Sequence, residues 1–108
     1  MVFFKPKSLK SLYSKLLRLL NFYFPTTLFL IVEVADSTIK FDREVKIPLY
    51  AENNVIEVWL VDINGECLEV YRQPIGSSYK EVQKLERGEI FSIQRFPDIN
   101  IQVDEILG

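Results

Sequence analysis

The sequence predicts one small domain of the α/β or α+β class, built on a mixed β-sheet. An apolar strand, a helix and a second apolar strand follow one another between residues 28 and 62, which is the order of a βαβ unit. After Asn64-Gly65, shorter segments alternate between apolar and polar residues, as antiparallel hairpins do. With 108 residues, the chain is long enough for one core and too short for two domains.

The strand-helix-strand unit is defined by local signals. Leu28–Val34 is a continuous apolar run, typical of a strand covered on both faces. After a polar turn, a helix is expected from about Ile39 to Asn53, with a kink near Ile47 because Pro48 lacks a backbone N–H. The run from residue 55 to 62 is the second strand, and it must pair in parallel with the first.

The composition restricts the chemistry that the chain can perform. There is no histidine, and Cys67 is the only cysteine. Ser-His and Cys-His catalysis, histidine metal sites, an internal disulfide and a cysteine-built zinc site are therefore excluded. Carboxylates, lysine, arginine, tyrosine and hydroxyl groups remain. Nothing here calls for an oxidising compartment, and we expect a cytoplasmic protein.

Charge divides the chain unevenly. Residues 1–32 carry five basic and no acidic side chains, whereas the remainder carries 8 basic and 15 acidic ones. An acidic body is a poor nonspecific ligand for DNA, so any DNA contact must be local. We divide the chain into a basic amphipathic segment, residues 1–27, and a body, residues 28–108.

The basic segment has leucines at helical spacing, which predicts an amphipathic helix from about Ser8 to Asn21. A helix packed on the domain and a helix at a membrane surface both remain open. A secretory signal is disfavoured because Arg18, Asn21 and Pro25 interrupt the apolar run. No stretch approaches the roughly 20 uninterrupted apolar residues of a membrane span.

One carboxylate stands near the end of the first apolar strand, at Glu33. Open α/β sheets place their sites at the carboxyl ends of parallel strands. On the following helix, Asp42, Lys46 and Tyr50 are spaced four residues apart and should point in one direction. Glu33 with Lys46 suits a divalent cation and a phosphate. A plain Glu33–Lys46 ion pair that locks the helix to the sheet is the alternative.

The same stretch resembles the Uma-two family of restriction endonucleases, which belongs to the PD-(D/E)xK nuclease superfamily. The resemblance runs from about Leu28 to the C-terminus. It therefore implies that residues 1–27 lie outside the family and that residues 28–108 form a partial restriction-endonuclease-like domain. Several spaced elements carry it in order: Glu33-Val34, Ser37-Thr38, Asp42 with Lys46 and Tyr50, Glu57-x-Trp59, Val61-Asp62 and residues 68–72.

This resemblance implies a Mg²⁺-dependent DNA endonuclease with a restriction-endonuclease-like core. It implies that Glu33 is a metal ligand and a catalytic residue, together with Lys46, while Asp42 and Tyr50 are supporting residues. The family's lysine normally stands two residues after the glutamate, where this sequence has Ala35. Lys46 would be its migrated replacement.

The sequence departs from the family pattern before Glu33, where no acidic residue occurs to supply the second metal ligand. We therefore expect weak Mg²⁺ binding and an inactive or incomplete member, N-terminally truncated or divergent, whose core lacks its first hairpin. The loss would leave the Glu33 strand with an unpaired edge, open to a second copy or a complementing chain. The alternative is a non-catalytic binding or oligomerisation module, with residues 1–27 at a membrane surface.

Overall fold

A computed structural model describes the backbone of residues 2–5 and the whole of residues 29–108. The helix predicted from about Ser8 to Asn21 lies outside the described residues. The strands, in chain order, are β1 (Val2–Lys5), β2 (Leu30–Ala35), β3 (Glu57–Asp62), β4 (Cys67–Ile75), β5 (Ser78–Glu86), β6 (Ile90–Ile93) and β7 (Phe96–Gln102).

The main sheet has the strand order β1-β2-β3-β4-β5. The pairs β1/β2 and β2/β3 are parallel, and β3/β4 and β4/β5 are antiparallel. The predicted mixed sheet, with its parallel βαβ pair and its hairpin at Asn64-Gly65, is confirmed. Strands β6 and β7 form a separate antiparallel hairpin sheet.

The expectation of an unpaired edge along the Glu33 strand is wrong. β1 pairs with β2 from Val2 opposite Leu30 to Lys5 opposite Glu33, so β2 lies inside the sheet. A four-residue strand is too short for periodicity to reveal, because so few residues cannot show an alternation. This edge of β2 is therefore occupied by β1 and is not open to a second copy or to a complementing chain.

A continuous helical segment links β2 to β3. It begins with α1 (Ile39–Phe41), continues as a π-helical turn (Asp42–Lys46) and ends with α2 (Ile47–Glu52). Pro48 lies in the first turn of α2, where its missing N–H costs least. The distortion predicted near Ile47 takes the form of the π turn, in which the Ile47 N–H donates to the Asp42 carbonyl.

Both faces of the sheet are covered, as the continuous apolar runs predict. On one face, the helical segment packs on a core cluster made of Ile31, Ala35, Ile47, Tyr50, Ala51, Val55, Val58, Leu60, Tyr71 and Tyr79. On the other face, the β6–β7 hairpin and the short helix α3 (Val103–Leu107) cover a second cluster that includes Trp59 and Leu68. None of the described helices has the length and apolarity to cross a membrane.

Candidate functional site

Glu33 lies on the helix-covered face of the sheet. Successive residues of a strand alternate between faces, so Glu33 shares this face with its neighbours Ile31 and Ala35. Its partner in the β2–β3 register is Leu60. The Glu33 side chain is completely buried. A carboxylate in such apolar surroundings is costly unless a charged or hydrogen-bonding partner reaches it.

Lys46 supplies that partner from the end of the π turn. Its Nζ lies 2.7 Å from Glu33 Oε1 and 3.0 Å from Asp42 Oδ1. Thr38 Oγ1 donates to the other oxygen of Asp42 at 3.0 Å. All three charged side chains are at most 1% exposed. We call Glu33, Asp42 and Lys46 the ion triad.

The ion triad keeps the lysine charged. Burial by itself lowers the pKa of Lys46, but hydrogen bonds and charge interactions with Glu33 and Asp42 outweigh that effect and raise it above its ordinary value. With both carboxylates ionised, two negative charges and one positive charge leave the ion triad with one net negative charge.

The structure therefore brings together Glu33, Asp42 and Lys46, which the sequence proposes for the site. Tyr50 is fully buried on α2, within the core cluster between helix and sheet. The predicted alternative of a Glu33–Lys46 ion pair between sheet and helix describes part of the observed geometry, with Asp42 added to it. The catalytic and supporting roles of the four residues stay predictions.

A second charged network lies beside the ion triad, and the sequence does not reveal it. Arg43, on the π turn, donates from Nε to Glu69 Oε1 at 3.0 Å and from its terminal nitrogen to Glu69 Oε2. The Tyr71 hydroxyl also donates to Glu69. Burial raises the pKa of Glu69, but these hydrogen bonds outweigh it and lower the pKa below its usual value.

The side of β4 that carries this network is buried, although the alternation of apolar and polar residues in this segment is typical of a strand with one exposed side. Glu69 is 8% and Tyr71 6% exposed. The helical segment covers this side of the strand, which places Tyr71 in the core cluster. The sequence does contain one indication of this burial. Cys67 and Tyr71 lie on the same side of β4 as Glu69, and both residue types favour burial.

Glu57 is the centre of a third network, on the opposite face of the sheet. Its Oε2 accepts hydrogen bonds from Trp59 Nε1 and from Arg72 Nε, each at 2.9 Å. Its Oε1 accepts a bond of 2.8 Å from the backbone N–H of Gln94. Trp59 is a core residue, as its strand position predicts, and Glu57 is fully buried. This network joins the hairpin sheet to the main sheet.

The residues present do not fit a magnesium ion. Within residues 29–108, no group of three or more acidic, cysteine or histidine side chains is arranged to hold a metal. The two carboxylates of the ion triad converge instead on an ammonium group. Mg²⁺ requires near-octahedral oxygen coordination and gives up its waters reluctantly. The described donor set offers two carboxylates, and Lys46 already neutralises one of their charges.

Comparison with known proteins gives one family match. The sequence model of Uma2, described as "Putative restriction endonuclease", matches residues 2–104. Searches of curated proteins and of solved structures found no match. The match confirms the resemblance seen in the sequence, and it covers nearly the whole chain. The division at residue 28 into a non-family segment and a partial domain stays a prediction.

Proposed function

The chain belongs to the Uma2 family of restriction endonuclease-type proteins, and from this premise we propose that it binds DNA through an incomplete nuclease centre and does not cleave DNA on its own. The observation that carries the proposal is the position of the Lys46 ammonium between the two buried carboxylates.

The argument rests on what metal-dependent hydrolysis of a phosphodiester requires. A cation must be held by carboxylates, so that it can polarise the phosphate and lower the pKa of a water molecule. In this chain, the carboxylates of Glu33 and Asp42 both form ion pairs with the Lys46 ammonium, and both side chains are fully buried. Among the described residues, no further carboxylate joins them in a metal-binding group. We propose that the affinity of the wild-type centre for Mg²⁺ is weak.

In this proposal, the roles predicted from the sequence correspond to positions in the nuclease centre of the family. Glu33 corresponds to the family's acidic metal ligand, and Lys46 to the cation that faces the phosphate. Asp42 supports Lys46 from the π turn, and Tyr50 supports the helix from the core.

The charge distribution indicates how DNA would be bound. The part of the chain after residue 32 has 8 basic and 15 acidic side chains, a net charge of −7, and repels a polyanion. The basic segment, residues 1–27, carries a net charge of +5. We therefore propose that DNA is contacted through this basic segment, in the cytoplasm, and that the affinity falls steeply as salt is raised.

A plasmid-nicking assay tests the absence of cleavage. The wild-type chain and Glu33→Gln are incubated with supercoiled plasmid in Mg²⁺ and in Mn²⁺, with Glu81→Gln, an exposed position on β5, as the matched control. We expect the same background nicking from all three proteins. Nicking by the wild type and by Glu81→Gln that is lost in Glu33→Gln would show an active endonuclease and overturn the proposal.

Binding is tested separately by fluorescence anisotropy of a labelled DNA duplex. We expect salt-sensitive binding that is equal for the wild type and Glu33→Gln, because Glu33 is completely buried and the substitution removes none of the basic side chains of residues 1–27. No binding at low salt would remove DNA as the ligand of this chain.

A further inference from the structure

We propose that the Lys46 ammonium is a built-in counter-cation that takes the place of a divalent metal ion between Glu33 and Asp42, and that these carboxylates bind such an ion once the ammonium is removed. The inference rests on the proposed function in one respect, namely that the wild-type centre does not hold a metal tightly. It does not depend on whether the chain cleaves DNA.

The first support is the convergence of the two carboxylates on one point. Glu33 reaches it from the sheet and Asp42 from the π turn, at 2.7 and 3.0 Å from the Lys46 nitrogen. Carboxylate oxygens are hard ligands, and calcium binds them at about 2.3–2.6 Å. An ion placed where the ammonium stands would therefore need only a small contraction of the site.

The second support is that contacts apart from Lys46 hold Asp42 and its turn in place. Asp42 accepts a hydrogen bond from Thr38 Oγ1, and its backbone N–H donates to the Thr38 carbonyl. The next residue, Arg43, is fixed to Glu69 on β4 by two hydrogen bonds. Asp42 therefore stays close to Glu33 when the lysine side chain is exchanged.

The third support is the charge balance. Replacing Lys46 by an uncharged residue leaves two carboxylates that repel each other in a buried site. Binding of one divalent cation changes the summed charge of the two carboxylates from −2 to zero. The loss of the ammonium thus creates both the space and the electrostatic attraction for a metal ion.

The experiment compares thermal unfolding of Lys46→Met with and without Mn²⁺ or Ca²⁺. Without metal, we expect the variant to melt well below the wild type. At about 5 mM Mn²⁺, we expect its Tm to rise by roughly 5–10 °C, whereas the wild-type Tm should not change. Lys40→Met, an exposed lysine on α1, is the matched control and should not respond to metal.

The double variant Glu33→Gln/Lys46→Met keeps one carboxylate and should lose the Mn²⁺ response. Equal Tm values of Lys46→Met with and without metal would overturn the proposal that Glu33 and Asp42 bind a divalent ion once the ammonium is removed. A Mn²⁺-induced rise in the wild-type Tm that disappears in Glu33→Gln would overturn the proposal that the Lys46 ammonium takes the place of a divalent ion.

A measurement on the wild type covers the case in which Lys46→Met does not fold under any condition. Lysine amines of the native protein are acylated and read by peptide mass spectrometry. We expect Lys46 to be protected and the exposed Lys80 to react, with no change when Mn²⁺ is added. Reaction of Lys46 at the rate of Lys80, or its exposure on addition of Mn²⁺, would contradict the inference.

These outcomes separate the two proposals. Glu33-dependent nicking with Lys46 still protected would overturn the proposed function alone. Equal Tm values of Lys46→Met with and without Mn²⁺, together with a wild type that neither nicks DNA nor binds Mn²⁺, would overturn the present inference alone.

Discussion

Each buried charged side chain among residues 29–108 has a partner of opposite charge within hydrogen-bonding distance. The five such side chains are Glu33, Asp42, Lys46, Glu57 and Glu69. Their partners are other members of the set or the arginines 43 and 72. Removing one partner of a buried pair leaves an uncompensated charge, which is usually the costliest single change in a core. These positions should therefore dominate the effect of substitutions on stability.

At the residue scale, we predict that Glu69→Gln lowers the free energy of unfolding by about 1–2 kcal/mol at neutral pH. The expected loss is modest because the side chain of Arg43 is 44% exposed and water can solvate it. The lowered pKa of Glu69 means that its stabilising charge is present above the ordinary value of 4.5 and is lost as the pH falls below it.

Urea unfolding at neutral pH and near pH 3 measures this difference, with the exposed Glu81→Gln as control. The gap between the wild type and Glu69→Gln should narrow at the lower pH. A gap that is the same at both values would show that the charge of Glu69 contributes nothing.

At the scale of elements, Glu57 is the junction between the two sheets. It lies on β3, it pairs with Arg72 of β4, and it receives a backbone N–H from the turn that follows β6. Arg72 extends this link by donating to the Ser92 carbonyl on β6. The contact is therefore both an ion pair and a tether for the hairpin that covers the second core cluster.

We predict that Glu57→Ala costs about 3 kcal/mol or more, because the Trp59 indole N–H and the Gln94 N–H lose their acceptor while Arg72 loses its carboxylate. Urea unfolding followed by the fluorescence of Trp59, the chain's only tryptophan, checks this. Glu52→Ala, an exposed change at the end of α2, should lie within about 0.5 kcal/mol of the wild type. Similar losses in the free energy of unfolding of both variants would refute the role of Glu57 as a tether between the two sheets.

At the scale of the whole molecule, three buried groups make the fold sensitive to alkali. The pKa of Lys46 is raised from 10.5, and burial raises the pKa values of Tyr71 and Tyr79 above 10.0. In each case the folded chain holds its proton more tightly than the unfolded chain does. The stability from these groups is therefore complete below about pH 10 and is lost as the pH rises toward the folded-state values.

We predict that Tm falls steeply above pH 10 and that Tyr79→Phe reduces the steepness. Tyr79 donates its hydroxyl to the Val55 carbonyl at 2.6 Å, so the variant should also lose about 1 kcal/mol at neutral pH. Thermal unfolding from pH 8 to 11 measures both effects. If Tm falls equally steeply with pH in Tyr79→Phe, the ionisation of Tyr79 does not contribute to the loss of stability in alkali.

Local sequence patterns predicted the order of the elements from Leu28 onward, the parallel pairing across the helix and the approach of Lys46 to Glu33. Each of these follows from local patterns: apolar runs, turn residues and the spacing of side chains on a helix. Such patterns report which side of an element is apolar. They do not report which element will cover it.

The remaining partners follow from tertiary packing, because they are distant from one another in the chain. Arg43 and Glu69 are 26 residues apart, and Gln94 and Glu57 are 37 apart. Tertiary packing also placed β1 along β2. The charges that a buried carboxylate meets depend on how elements pack across the core, which no local pattern encodes.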